Sequence, residues 1–386
     1  MKHDTNLLIV GAGPFGLALS ALATRLGIEH TAVGRPMEFW RSNMPTGMLL
    51  RSDSTWHLDA AGEFTIERFL AAQGLTREDA EPLSLQRYLS YCEWFGNGAG
   101  VRSMDATVTS LTRAGDGEGF RVTFESGATL GARSVVLALG MGYFSHVPPE
   151  FERMFPESRT SHTRDFVDCE RLAGKRVLIV GGRQSSFEWA ALLREGGARE
   201  VHLSYRHDTP SFTPADWTWV EPMVQRIADD PGWYRRKTAE EKDALTKRLW
   251  AEGRLKLEPW LAARVQRDGI QLHEHTTPVR AQENGDALQV ELSDGTTLRV
   301  DQVILATGYK ADVARIPFLA DGPEIEARDG FPVLSEEMES SVPGLYFTSA
   351  CAVQDFGPFF GFTVACRTSA RILTRSLQTR LGGSLA

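Results

Sequence analysis

The chain has 386 residues, 42% of them hydrophobic and 24% charged, and a formal net charge of −8. That composition excludes a disordered polypeptide, suggests no membrane span, and lacks the basic excess expected of a partner for nucleic acid. At about 150 residues per domain, the length makes room for two or three domains.

Near the N-terminus, Lys2 precedes the apolar run Leu7-Leu8-Ile9-Val10. A secretory signal needs an unbroken apolar core, and Gly11, Gly13, Pro14 and Gly16 interrupt this one; the run reads as a buried strand of a cytoplasmic protein. Apolar residues at helical spacing then extend from Leu17 to Leu26. In this strand, turn and helix, Gly11 permits the sharp turn, Gly13 lets the backbone approach a pyrophosphate, and Gly16 lets the helix pack close to the strand, with Pro14 and Phe15 completing the turn. The unpaired amides of the first helical turn face the phosphates.

Further along, Ser126 to Leu130 and Val135 to Gly140 read as a hairpin whose second strand returns to the sheet. Arg176 to Val180 leads into Gly181-Gly-Arg-Gln-Ser-Ser186, followed by a helical pattern from Phe187 to Leu193 and a strand from Val201 to Tyr205. Residues 208–262 exceed what a plain nucleotide unit needs. They carry Trp217, Trp219, Trp233, Tyr234, Trp250 and Trp260 and a predicted helix near Glu240 to Glu252; the aromatics read either as the core of an added helical subdomain or as a lid. Asp294 to Leu298 and Val303 to Gly308 then repeat the earlier hairpin.

Both look-alike pairs are offset by roughly 170 residues, the size of a whole nucleotide-binding domain. The second unit also lies between the first unit's return strand and a C-terminal segment, Leu345 to Phe347. The expected fold is therefore α/β, with two nested Rossmann-like dinucleotide-binding domains of the three-layer ββα type and a helical insertion in the second. The first domain is discontinuous, residues 1–165 and 310–386; the second covers residues 166–309, its insertion about 208–262.

With the two turns, Phe39-Trp40-Arg41, Ala306-Thr-Gly-Tyr309 and Pro343-Gly-Leu-Tyr-Phe347, the chain resembles the flavin-containing monooxygenase and thioredoxin-reductase-like superfamily over nearly its whole length. The resemblance implies FAD at the first turn, with Trp40 and Arg41 along its groove, Val108, Gly140, Thr307 and Gly308 beside it, and Asp355 near the isoalloxazine. It implies a nicotinamide cofactor at the second turn, on Gly181, Arg183, Gln184, Ser185 and Ser186. Where the family usually has an acidic residue for the FAD ribose, this chain has Gly34-Arg35, so the ribose needs a different partner. Arg183 replaces the middle glycine, where its side chain either obstructs the backbone approach or pairs with a phosphate. Only Phe155 and Ser161-His162 echo the histidine-containing sequence that monooxygenases carry before the second turn. Arg206 and His207 stand where an acidic residue would favour the unphosphorylated ribose, which points to NADPH, with NADH the alternative.

In either chemistry of this superfamily, hydride passes first from nicotinamide to flavin. A thioredoxin-type disulfide reductase then needs two neighbouring thiols, but Cys92, Cys169, Cys351 and Cys366 lie far apart in sequence, with neither C-x-x-C nor metal-ligand spacing, and no metal is expected. The chain also resembles bacillithiol-disulfide reductases, which place a cysteine within the first glycine turn; Phe15 stands there. Dioxygen is then the natural oxidant, and the expected function is an NADPH-oxidising, FAD-dependent monooxygenase that oxygenates a small organic substrate through a flavin C4a-hydroperoxide. The alternative is an FAD-dependent NAD(P)H reductase passing electrons to a protein or disulfide acceptor. Gly47 to Asp53 sits where flavin monooxygenases and Baeyer-Villiger enzymes carry residues beside the flavin. Asp53 is the candidate to orient or protonate the reacting oxygens, with Arg51 its charge partner or a substrate anchor; a surface or interdomain salt bridge is the other reading. His57 follows, with a ring able to titrate near neutrality, and Phe356, Phe359, Phe360 and Phe362 suit an apolar wall that sheds water. The assembly is left open, a homodimer included.

Overall fold

The computed structural model describes residues 4–115, 117–165 and 168–382. Its first sheet grows from β1 (Thr5–Val10), whose Leu7, Leu8 and Ile9 are wholly buried, as a central parallel strand requires. β2 (His30–Val33), β3 (Ser103–Met104), β4 (Val108–Arg113), β5 (Phe120–Phe124) and β6 (Thr129–Leu137) complete the order β3-β2-β1-β6-β5-β4. β6 pairs antiparallel with β5 over Thr129 to Ala132 and parallel with β1 from Ala132 to Leu137, which is the returning hairpin expected from the sequence. The closing strand Leu345–Phe347 lies parallel to β6, so the C-terminal segment does rejoin the first sheet.

The second sheet is all parallel: β7 (Thr160–His162), β8 (Arg176–Val180), β9 (Glu200–Ser204) and the strands Ile270–His273 and Gln302–Leu305. Its order is 270–273, β9, β8, 302–305, β7. β7 thus pairs with Gln302–Leu305, and the edge of the second sheet is drawn from residues that the sequence reading places in the first domain. The expected hairpin return differs here too. Pro278–Asn284, Ala287–Leu292 and Thr297–Val300 form their own antiparallel sheet, detached from Gln302–Leu305 at Asp301. The Asp301 carboxylate accepts the Arg176 amide (2.8 Å) and two guanidinium N–H groups (3.1 and 2.6 Å), which pins the break against β8.

The insertion contributes helices Val220–Asp229 and Ala239–Leu249, the latter opened by a capping box between Thr238 and Glu241. Val220, Val224 and Ile227 are buried in the same core as the first sheet, against the C-terminal helix Cys366–Gly382. An excursion from the second unit therefore packs on the first. Among the described residues no helix is long and apolar enough to cross a membrane.

Candidate active site

At the end of β1 the chain reverses through Gly11, with φ 110°. A Cβ on Gly11 would collide with the Ala138 carbonyl, and one on Gly16 with the Gly11 carbonyl; at Gly13 a Cβ would meet no heavy atom within 4 Å. Two glycines are thus needed for packing, while the third leaves an open cradle. The helix Pro14–Arg25 begins with no side-chain cap and no acidic residue in its first turn, so its leading amides are available to an anion. Phe15 is buried beneath the turn. Thr348, at the end of the closing strand beside β6, keeps its hydroxyl buried without a hydrogen-bond partner. These features fit the pyrophosphate of FAD.

Around this turn the resemblance residues divide. Phe39 meets Tyr309 edge to face at 6.0 Å, so two motifs 270 residues apart border one place. Trp40 is half-buried on Tyr88 (4.8 Å between rings), and Val108 is buried at the start of β4. Gly140 takes a positive φ just after β6. The Thr307 hydroxyl donates to the His146 carbonyl, and His162 Nε2 donates to the Gly308 carbonyl at 3.1 Å. Arg41 is exposed, 3.9 Å from Glu93. Arg35 is engaged by Asp105 (3.0 Å) and Glu38 (3.4 Å), which brings two acidic groups to the end of β2 where the sequence offered none in line. The buried carboxylate of Asp355 accepts the Leu334 amide at 2.9 Å and lies 3.5 Å from Arg328.

The second turn repeats the architecture with different contacts. A Cβ on Gly181 would lie 2.6 Å from the Ala306 carbonyl, and Gly182 is backed by Tyr205 and His207. Ser186 replaces the last glycine, its hydroxyl buried and unpaired. The helix Gln184–Glu195 also lacks a side-chain cap and an early acidic residue. Arg183 does not fill the turn: its guanidinium lies over Trp250, 4.9 Å from the ring centre. Ser185 is exposed at the helix start, and Arg206 is exposed at the end of β9.

Beside the second turn lies a cavity of about 340 Å³. Its walls come from Trp40 and the segment Met44 to Trp56 of the first unit, Arg183 to Glu188 of the second-turn helix, Trp217, Trp250 and Arg254 of the insertion, and Phe362. Arg51 faces it, but its partner is Glu258 at 2.8 Å, and its guanidinium also donates to the Gly253 and Lys256 carbonyls (3.0 and 3.3 Å). The expected pairing with Asp53 does not form. Asp53 lies outside the cavity wall, where it accepts from the Thr55 amide and hydroxyl and pairs with Arg77 at 3.0 Å. His57 accepts from the buried Arg367 at 2.7 Å; burial, then this guanidinium, lowers its pKa to about 4, so it stays neutral where the sequence suggested titration. Of the four phenylalanines, Phe356, Phe359 and Phe360 are core, and only Phe362 reaches the cavity. Trp217 and Trp250 line it while Trp219 packs edge-on against Phe359, so the insertion's aromatics divide between cavity wall and core.

A buried carboxyl that the sequence reading did not single out belongs to this wall. Glu188 is fully buried; it accepts the Leu49 amide (2.9 Å) and the Gln184 side-chain amide (3.3 Å), and Gln184 in turn accepts the Glu258 amide (3.0 Å). Burial raises the Glu188 pKa to about 7 despite these donors and Arg264 at 3.6 Å. Its one signal in sequence is a carboxylate inside the otherwise apolar Phe187-Glu-Trp-Ala-Ala191.

All four cysteines are free and buried, and burial pushes Cys169 and Cys351 up to about 12 and Cys92 and Cys366 higher. Thiolates of that kind are poor relays. Two glycine turns that each open an uncapped helix, an aromatic cavity beside the second of them and no reactive thiol pair are the features of an oxidoreductase with two dinucleotide-binding units. The chain belongs to the pyridine nucleotide-disulphide oxidoreductase family, whose models match residues 8–230 and 245–370. It is 26% identical over 350 residues to an indole-3-pyruvate monooxygenase of Oryza sativa subsp. japonica, covering 84% of this chain and 80% of that one. A ferredoxin–NADP reductase of Cupriavidus metallidurans is 27% identical over 58% of each chain. The ornithine N-hydroxylase of Kutzneria sp. 744 shares the fold, with a TM-score of 0.80 at 18% identity over 99% of this chain and 100% of that one.

Proposed function

We propose that this protein is an FAD-dependent monooxygenase that oxidises NADPH and transfers one oxygen atom of dioxygen to a small organic substrate. The observation that carries the reading is the aromatic cavity bordered by the second-turn helix and the Met44 to Trp56 segment, in a chain whose thiols are all buried and held protonated. The likeness to an indole-3-pyruvate monooxygenase over most of both chains supports it. Gly11, Gly13, Gly16 and the leading amides of Pro14–Arg25 would hold FAD; Gly181, Gln184, Ser185 and Arg183 would hold the nicotinamide cofactor, with Arg206 beside its ribose. When bound, FAD supplies the hydride acceptor and the ring that activates oxygen.

The chain's own residues do the rest. Trp40, Trp56, Trp217, Trp250 and Phe362 keep water from the reacting centre. Arg51 is a positioning residue: by gripping Glu258 and the Gly253 carbonyl it holds the insertion on the first unit. Glu188 can hold or release a proton near neutrality at the cavity wall, and the reading gives it the proton-handling role expected of Asp53. The test is to reduce the flavin anaerobically with NADPH and mix with oxygen. A transient absorbance distinct from both reduced and oxidised flavin is expected. Immediate reoxidation with release of hydrogen peroxide would contradict the reading and favour a reductase, to which the ferredoxin–NADP reductase likeness then points.

A further inference from the structure

Three guanidiniums reach the cavity, from Arg51, Arg183 and Arg254, and they differ in what they hold. Arg51 has Glu258. Arg183 and Arg254 have no carboxylate and no hydrogen-bond acceptor among the described residues. What they have is the ring of Trp250, at 4.9 and 5.7 Å, and for Arg254 also that of Phe362 at 5.4 Å. Arg254 keeps solvent access, yet the protein around its head group and the two neighbouring guanidiniums lower its pKa, and partial enclosure lowers that of Arg183. Two cations set on aromatic rings beside a third cation form a charge arrangement that an anion completes.

The two sites are not equivalent. Arg183 immediately precedes the uncapped helix Gln184–Glu195, whose free amides suit a phosphate of the nicotinamide cofactor. Arg254 belongs to the insertion and is placed by unusual backbone. The helix Ala239–Leu249 ends in a wide turn over Trp250–Arg254, closed by the Leu255 amide on the Trp250 carbonyl at 2.8 Å. Gly253 is required there because a Cβ would strike the Trp217 ring, and Arg51 grips its carbonyl at 3.0 Å. The turn is therefore held from both sides, and it sets a guanidinium between Trp250 and Phe362.

We propose that Arg254 binds the carboxylate of a substrate whose flat, apolar body lies against Trp217, Trp250 and Phe362. A guanidinium offers paired N–H donors that match a carboxylate, and the aromatic walls match a planar ring. The proposal rests on the monooxygenase reading only in taking this cavity as the substrate's place, and binding can be measured without turnover.

The test titrates the oxidised, FAD-loaded protein with phenylacetate and with phenylacetamide, following tryptophan fluorescence. The acid should bind at least about tenfold more tightly than the amide, the discrimination expected of one charge-assisted pair. Arg254→Gln should erase that preference by weakening the acid alone, and Arg254→Lys, which keeps the charge, should retain part of it. The flavin spectrum reports folding of each variant, and the wild-type ratio stands without any variant. Equal affinities, or no binding of either probe, would overturn the proposal. So would Arg254→Gln weakening NADP+ while sparing phenylacetate, which would give the guanidinium to the cofactor's phosphates. Acid preference in a protein that never oxygenates would keep the carboxylate site and sink only the monooxygenase reading.

Discussion

The two glycine turns of this molecule share a plan and differ in tightness. In both, a parallel strand ends at a glycine packed on a neighbouring strand's carbonyl, Ala138 in the first and Ala306 in the second, and a 12-residue helix starts uncapped. In the first, Gly16 presses on the Gly11 carbonyl and Gly13 opens outward. In the second, Ser186 and Arg183 take those places, and the cation lies out over Trp250. A turn stripped of side chains suits a dinucleotide held permanently by backbone; a turn that keeps a hydroxyl and a charge suits one that is gripped and released every cycle.

Substitutions at matched positions can break this contrast. The largest effect should come from Gly16→Ala, whose Cβ collides with backbone that cannot yield: we expect a loss of at least about 3 kcal/mol by urea unfolding, against less than about 0.5 kcal/mol for Ser186→Ala, which removes only an unpaired hydroxyl. Equal costs at both sites would end the claim that the turns differ in tightness. Next, Gly13→Ala puts into the open cradle a Cβ that meets no protein atom within 4 Å, so FAD affinity should fall about a hundredfold, or about 2.7 kcal/mol, with an unchanged circular-dichroism spectrum. In the second turn, Arg183→Ala should raise the KM for NADPH about tenfold while leaving flavin content intact, since one charge-assisted contact is lost. A drop in flavin content there would move Arg183 out of the second cradle.

The smallest effect concerns the cavity wall beside the second turn. Glu188 has its pKa raised from 4.5 to about 7, so its contribution to stability is full below about pH 4.5 and is lost as pH rises through 7. Glu188→Gln should therefore gain on the wild type by about 1 kcal/mol between pH 6 and pH 8, read from paired denaturation curves. Parallel curves across that range would show that the carboxyl is not buried as described.

What the sequence discloses is local. Glycine spacing, an apolar strand and helical periodicity are visible within 20 residues, so both turns, the returning β6 and the helix near 240–252 were legible. The nested order was legible because the repeat preserves its own offset. The cavity was not, because its polar partners come from far apart: Arg51 finds Glu258, 207 residues away, rather than its near neighbour Asp53. Nothing in the residues announces the wide turn that presents Arg254, since it follows from Trp217 resting on Gly253. The detached hairpin of the second unit likewise turns on Asp301 meeting Arg176, a pairing that strand patterns do not encode.

The most direct test of the account is an anaerobic titration of the purified protein with NADPH, watched in the visible spectrum. Two working cradles predict a yellow protein whose flavin bleaches with one equivalent of NADPH per FAD. A colourless protein that FAD cannot reconstitute, or a yellow one whose spectrum neither NADPH nor NADH alters, would contradict it.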